Sequence, residues 1–219
     1  MSLMRFIAGT ALIAVLSGGV LAGTATKRTF HSAALNRAMD YWVYLPANYD
    51  STQKYSVVYM LHWHNHYADA WHVSDGVRTN PRLDQGIDQV QGIICISPQE
   101  GRSWWIDRGT NLVGTFLTND LRNEVNANFS TYTDPGHTGI SGISMGGFGA
   151  LHHVRVNKHI YGVAYAIAAL TDLTKQFRSI PAVGATYDQC AWNLCDIFGT
   201  GYVGTQSVIS QYSPYANVA

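Results

Sequence analysis

The chain has 219 residues, with 14 Lys plus Arg against 14 Asp plus Glu and a formal net charge of zero. Such a balance creates no field to attract nucleic acid or an anionic membrane surface. That balance leads to the expectation of a small or neutral partner, and the three cysteines, Cys95, Cys190 and Cys195, fit neither a disulfide scaffold nor paired Cys-x-x-Cys zinc ligands.

The first 25 residues read as a secretory signal peptide: one cation at Arg5, an apolar run from Phe6 to Leu16, then small residues at Ala22, Gly23 and Ala25. Thr10 and Ser17-Gly18-Gly19 break the run short of the about 20 apolar residues a membrane span needs. A secreted or periplasmic protein is expected, with residues 26–219 forming one domain and no membrane span after the leader is removed.

Downstream, Met39, Tyr41, Val43 and Leu45 alternate with other residues before a Pro46-Ala47-Asn48 turn, which predicts opening strands. Tyr55–Leu61, Gly92–Ser97, Thr138–Ser144 and Val163–Leu170 are short, mostly apolar runs of the kind that form strands buried on both faces. Between them, Leu117, Leu121, Val125 and Phe129 recur every four residues, a helical period. Strands alternating with helices pair in parallel through crossovers, so the class is α/β with a mixed sheet. Cys95 sits in one of the apolar runs and reads as a core residue. Cys190 and Cys195 could close a small disulfide loop after export or remain thiols.

Gly142-x-Ser144-x-Gly146 follows one buried strand and precedes a helical stretch. That context turns a short motif into a nucleophile elbow, with the serine on a tight strand-to-helix turn and the glycines permitting close chain approach. The N–H of Met145, in the first turn of the helix, is placed to donate to an oxyanion. The loop after Leu61 conventionally supplies the second donor, and by position it is the backbone N–H of His64. His62, His64 and His66 alternate, which also suits metal ligands on one face, but no carboxylate or thiolate pattern supports a fourth ligand and no metal is assigned. Trp63, Trp71, Trp104, Trp105 and Trp192 could line an aromatic cleft or fill a core, and filling is the preferred reading. Asp69 and Asp75 suit a helix cap or surface loop.

Tyr41-Trp42-Val43-Tyr44-Leu45-Pro46, Val57 to His62, Ser103-Trp104-Trp105-Ile106-Asp107, Gly142 to Leu151 and Tyr212 to Asn217 together resemble the putative-esterase family of α/β-hydrolases. That family includes S-formylglutathione hydrolase (esterase D), feruloyl and acetyl xylan esterases, and the antigen 85 mycolyltransferases. The resemblance implies a three-layer α/β-hydrolase sandwich with a mostly parallel sheet. It also implies a serine carboxylic-ester hydrolase working through an acyl-enzyme on Ser144, on small or carbohydrate-linked esters, without a cofactor.

Two departures stand out. Members usually have glycine where Trp63, Asn65 and His66 stand, which restricts the loop that presents the oxyanion donor. The chain also ends 75 residues after Ser144, before the strand and loop that carry the family's acid and histidine, so the last strands are expected to be missing and no catalytic histidine is found. His137 lies about 20 Å from Ser144 at the far end of its strand, and His152 and His153 lie about 12 Å along the following helix. His64 and His66 leave the sheet at the catalytic edge and are the surrogate bases the chain offers. Asp172 follows Val163–Leu170 on that edge; it is weighed as the acid, with a structural role preferred. The rival expectation is an inactive truncated homologue or an exported glycan-binding protein, with Val163–Leu170 left as an exposed apolar edge.

Overall fold

Residues 23–64, 66–71, 90 and 92–171 are described by a computed structural model. Strands β1 (Thr24–Ser32) and β2 (Arg37–Leu45) form an antiparallel hairpin in which Asn36 takes the left-handed turn position, with φ 48°. Asn tolerates that conformation because its short polar side chain bonds locally. Alternation in β2 places Met39, Tyr41 and Val43 in the main core.

The chain then builds β3 (Ser56–Leu61) and β4 (Ile93–Pro98). Val57, Tyr59 and Leu61 face the main core together with Ile94 and Ile96, while Val58, Met60 and Ile93 pack with Cys95, Tyr44 and Trp71 on the opposite side. Both faces of the two strands are therefore covered, as their nearly continuous apolar composition requires. Burial raises the Cys95 thiol to about 12, in keeping with an inert core residue.

A two-stranded ribbon, β5 (Asp107–Arg108) and β6 (Asn111–Leu112), leads through a helical turn at Val113–Thr115 and a π-helical turn at Phe116–Asp120 into α1 (Leu121–Asn128). The four-residue apolar period is borne out, since Leu117, Leu121 and Val125 are fully buried. Its first turn is wider than the ordinary α-helix the period predicts, and Phe129 is already extended. β7 (Thr138–Ile143) runs into α2 (Met145–Val156), and β8 (Val163–Ile167) follows.

The sheet order is β1-β2-β4-β3-β7-β8. β4, β3, β7 and β8 are mutually parallel, and β1 and β2 are antiparallel additions. This is the mostly parallel α/β-hydrolase arrangement. Because β3, β4 and β7 share a direction, the loops after Leu61, Pro98 and Ile143 leave at one edge, where α/β folds place their sites. On β8, Val163, Tyr165 and Ile167 alternate outward and are exposed among the described residues. No helix among the described residues is long and apolar enough to cross a membrane. The leader expected in residues 1–25, Cys190, Cys195, Trp192, Asp75 and the 212–217 segment lie wholly or mainly outside the described residues.

Candidate active site

Ser144 stands between β7 and α2 with φ 54° and ψ −114°. A side chain at positive φ costs about 1–3 kcal/mol and persists only where the surroundings dictate it. Here they do: Ser144 N–H donates to Ile167 O at 2.9 Å, Ser144 O accepts Phe148 N–H at 2.9 Å, and the turn is walled in by glycines. A Cβ on Gly142 would lie 2.3 Å from Gly146 C, and one on Gly146 would lie 2.2 Å from Leu61 O and 2.8 Å from His62 O. The two elbow glycines therefore let β7 fold back on α2 and let α2 press against the end of β3. Met145 is the first residue of α2, where a helix leaves its N–H groups without internal partners.

The loop after β3 is fastened by groups from two other elements. His62 is fully buried; its Nε2 accepts Glu100 N–H at 3.2 Å, so Nδ1 carries the proton and donates to Trp63 O at 2.8 Å. Trp105 Nε1–H donates to His62 O at 3.2 Å, and the two rings meet edge to face. Trp105 is in turn held by Ser103 Oγ, which accepts its N–H at 3.1 Å, and by His153 Nε2–H, which donates to Trp105 O at 2.6 Å. A Cβ on Gly149 would strike Trp105 Cβ at 2.6 Å. Trp104 and Trp105 both have positive φ, 58° and 64°, yet both are buried. This strained pair ties the loop after β3 to α2, and thus to the elbow.

The buried imidazoles give stability a pH dependence. Burial pushes His62 down to about 4 and His152 to about 3, and it lowers His153 as well. In the unfolded chain an imidazole takes up its proton near 6.5, so the unfolded state binds more protons than the folded one below that pH. The stability they contribute is complete above about 6.5 and falls as pH drops toward 4, by about 3 kcal/mol for a group shifted as far as His62. Urea unfolding at pH 7.5 and pH 4.5 should show that decline; equal midpoints and slopes would contradict it.

Of the residues singled out from sequence, Ser144, Met145, Gly142 and Gly146 meet at the elbow, and His62 is brought against Gly146 by its carbonyl. His64 lies in the turn just beyond, half-buried. Trp63 and His64 are not among the left-handed non-glycine residues, so the loop runs through these two without glycine's conformation. His62 has both ring nitrogens occupied and is unsuited to ligate a metal. His137 sits at the start of β7, bonded to Asp134 at 2.9 Å, and His153 is committed to Trp105 and Asn157. Trp71, Trp104 and Trp105 are core, as preferred. Asp69 lies in a short 3-10 turn, Ala68–Trp71. Asn65 and Asp172 lie outside the described residues. Sequence reasoning passed over Glu100; a glutamate two residues past a strand carries no motif, and only the fold brings it to His62.

A family model described as "Putative esterase" matches residues 32–207. Among solved structures, a ferulic acid esterase from Anaeromyces mucronatus in complex with ferulic acid is 22% identical, with a TM-score of 0.58 over 71% of this chain and 61% of that one. The fluorophosphonate-binding serine hydrolase F of Staphylococcus aureus is 15% identical, with a TM-score of 0.65 over 89% of this chain and 72% of that one. An S-formylglutathione hydrolase from Agrobacterium tumefaciens is 15% identical, with a TM-score of 0.63 over 90% and 70%. The chain thus spans 61% of the length of the ferulic acid esterase. At these identities the likeness is one of fold.

Proposed function

We propose that this chain, which belongs to the putative-esterase family and with it to the carboxylic ester hydrolases, cleaves its substrate with Ser144 as nucleophile. The observation that carries this reading is the left-handed Ser144 at a strand-to-helix turn closed by Gly142 and Gly146. A non-catalytic turn has no need to hold a serine in a conformation that glycine adopts freely.

Ser144 Oγ attacks the ester carbonyl carbon as its proton passes to a base, and the carbonyl oxygen becomes an oxyanion. The N–H groups of Met145 and His64 receive that charge; one such donor is worth about 10²–10³ in rate. The intermediate collapses with loss of the alcohol, which takes a proton, and leaves an acyl-serine. Water then adds to the acyl carbon and frees the acid and the serine.

His64 and His66 follow β3 on the sheet edge where Ser144 stands, and this loop pair is the proposed source of the base. No metal or organic cofactor enters this chemistry. Small or carbohydrate-linked esters are the proposed substrates, and the leader at residues 1–25 supports action outside the cytoplasm, in the periplasm or the medium.

Incubating the full chain with an alkyl fluorophosphonate and mapping the adduct by peptide mass spectrometry tests the assignment. A single adduct on Ser144 is expected. Labelling elsewhere, or none at all, would favour a non-catalytic protein, for instance one that binds glycans.

A further inference from the structure

The loop that carries His64 and His66 is held at both ends by β4 and the segment leaving it. At its start, His62 Nε2 accepts Glu100 N–H at 3.2 Å and His62 O accepts Trp105 Nε1–H at 3.2 Å. At its far end, Ala68 N–H donates to Gln99 Oε1 at 2.8 Å, and Ser97 Oγ–H donates to Ala68 O at 2.7 Å. Residues 63–67 are therefore a short span between two fixed points, on the edge where β3, β4 and β7 all end.

Trp63 braces that span from within. Its indole meets the buried Trp71 ring edge to face with centroids 6.1 Å apart, and the His66 ring lies against it at 4.2 Å, the planes tilted by 50°. This packing joins the first residue of the span to the 3-10 turn that closes it, and it sets the orientation of the His66 imidazole. A serine nucleophile needs a base that is itself oriented by a third group. An indole does more than orient, because a cation within about 6 Å of its centroid is attracted to the π-system. The contact therefore favours the imidazolium that forms when a base takes its proton.

Resting on the reading of Ser144 as nucleophile, we infer that His66 is the base and Trp63 its positioning residue, while His64 serves through its backbone N–H. As Ser144 Oγ bonds the carbonyl carbon, its proton passes to a ring nitrogen of His66. The imidazolium returns that proton to the leaving oxygen as the carbon–oxygen bond breaks. In the second half, water gives a proton to His66 as its oxygen bonds the acyl carbon, and the proton passes on to Ser144 Oγ as the acid departs.

The test compares His66→Gln, His64→Gln, Trp63→Leu and Trp63→Phe with the parent full chain, in p-nitrophenyl acetate turnover and in the rate at which an alkyl fluorophosphonate labels Ser144. A positioned general base contributes about 10²–10⁴ in rate, so His66→Gln should lose about 10²-fold or more in both assays, and His64→Gln about tenfold less than that. Trp63→Leu should lower kcat about tenfold with KM changed by less than about twofold, and Trp63→Phe, which keeps a π-face, should recover most of the loss. The acid limb of kcat/KM reports the base of the free enzyme; it should move to lower pH in Trp63→Leu, because losing the indole disfavours the imidazolium. Among the described residues, the titratable groups about the span are His62, His64, Tyr67 and Asp69 on the loop, with Tyr44, Cys95 and Glu100 from the strands packed against it. None of them changes in Trp63→Leu, so a moved limb reads the indole.

An active, labelled parent in which His66→Gln is no slower than His64→Gln would overturn the choice of His66 alone. An unmoved acid limb, or a loss that Trp63→Phe does not recover, would reduce Trp63 to packing and overturn its positioning role. The histidine variants leave the pairing of Trp63 with Trp71 in place, so the choice of base is tested even where Trp63→Leu unfolds. A parent that is neither labelled nor active would overturn the reading of Ser144 itself.

Discussion

Gly146→Ala should unfold about 3 kcal/mol more easily than the parent chain and turn over ester about 10²-fold more slowly. The added Cβ would sit 2.2 Å from Leu61 O, 2.7 Å from Leu61 C and 2.8 Å from His62 O. These are backbone atoms at the end of a central strand, with no flexible tip that could swing away. Overfilling a packed interior costs about 1–3 kcal/mol and more where backbone must yield. Relief by moving α2 away from β3 would separate Ser144 from the loop that carries His64, and a displacement of about 1 Å at a reacting centre costs about 10² in rate. Gly101→Ala is the control, because a Cβ there meets nothing within 4 Å and should change stability by less than about 0.5 kcal/mol. Urea unfolding and p-nitrophenyl acetate turnover of the two variants would decide the matter; equal stability of both would mean that the close approach of α2 to β3 is wrong.

Ser144→Gly should abolish turnover and make the chain more stable, by about 1 kcal/mol. The strain of φ 54° and ψ −114° is worth about 1–3 kcal/mol, and glycine adopts such angles freely at an entropic cost of about 0.5–1 kcal/mol. Ser144→Ala keeps the Cβ and the strain, so it should lose activity equally while remaining at parental stability. The pair separates chemistry from conformation: two inactive variants, of which only the glycine one gains stability. Equal stabilities in urea would show that the surroundings do not impose the angle.

Much of this architecture was legible because local pattern and global fold agree. The apolar runs of β3, β4 and β7 could be read as doubly covered strands, and the spacing of Gly142, Ser144 and Gly146 after a strand could be read as a strand-to-helix turn. The four-residue period of Leu117, Leu121 and Val125 gave the helix, but the widened turn at Phe116–Asp120 has no period of its own. The insertion of β4 between β2 and β3 is a long-range pairing that no local window encodes.

The fastening around His62 was hidden for a related reason. Alternating histidines suggested a shared face, and the metal site they could form was weighed and not assigned; the deciding partners of His62 are Glu100 and Trp105, 38 and 43 residues away. Nor does anything in Ser103-Trp104-Trp105 announce two consecutive left-handed tryptophans, because tertiary contacts with Phe148, His153 and Gly149 impose that conformation. His64 and His66 could be offered as the base from the edge at which they leave β3, but sequence does not choose between them, because nucleophile and base meet only in space.

Hydrolysis of p-nitrophenyl acetate by the purified full chain, measured beside its Ser144→Ala variant, tests the central claim most directly. Saturable turnover in the parent and a fall to the uncatalysed rate in the variant is the expected result. Indistinguishable rates in the two proteins would contradict the claim that Ser144 is the nucleophile of a working esterase.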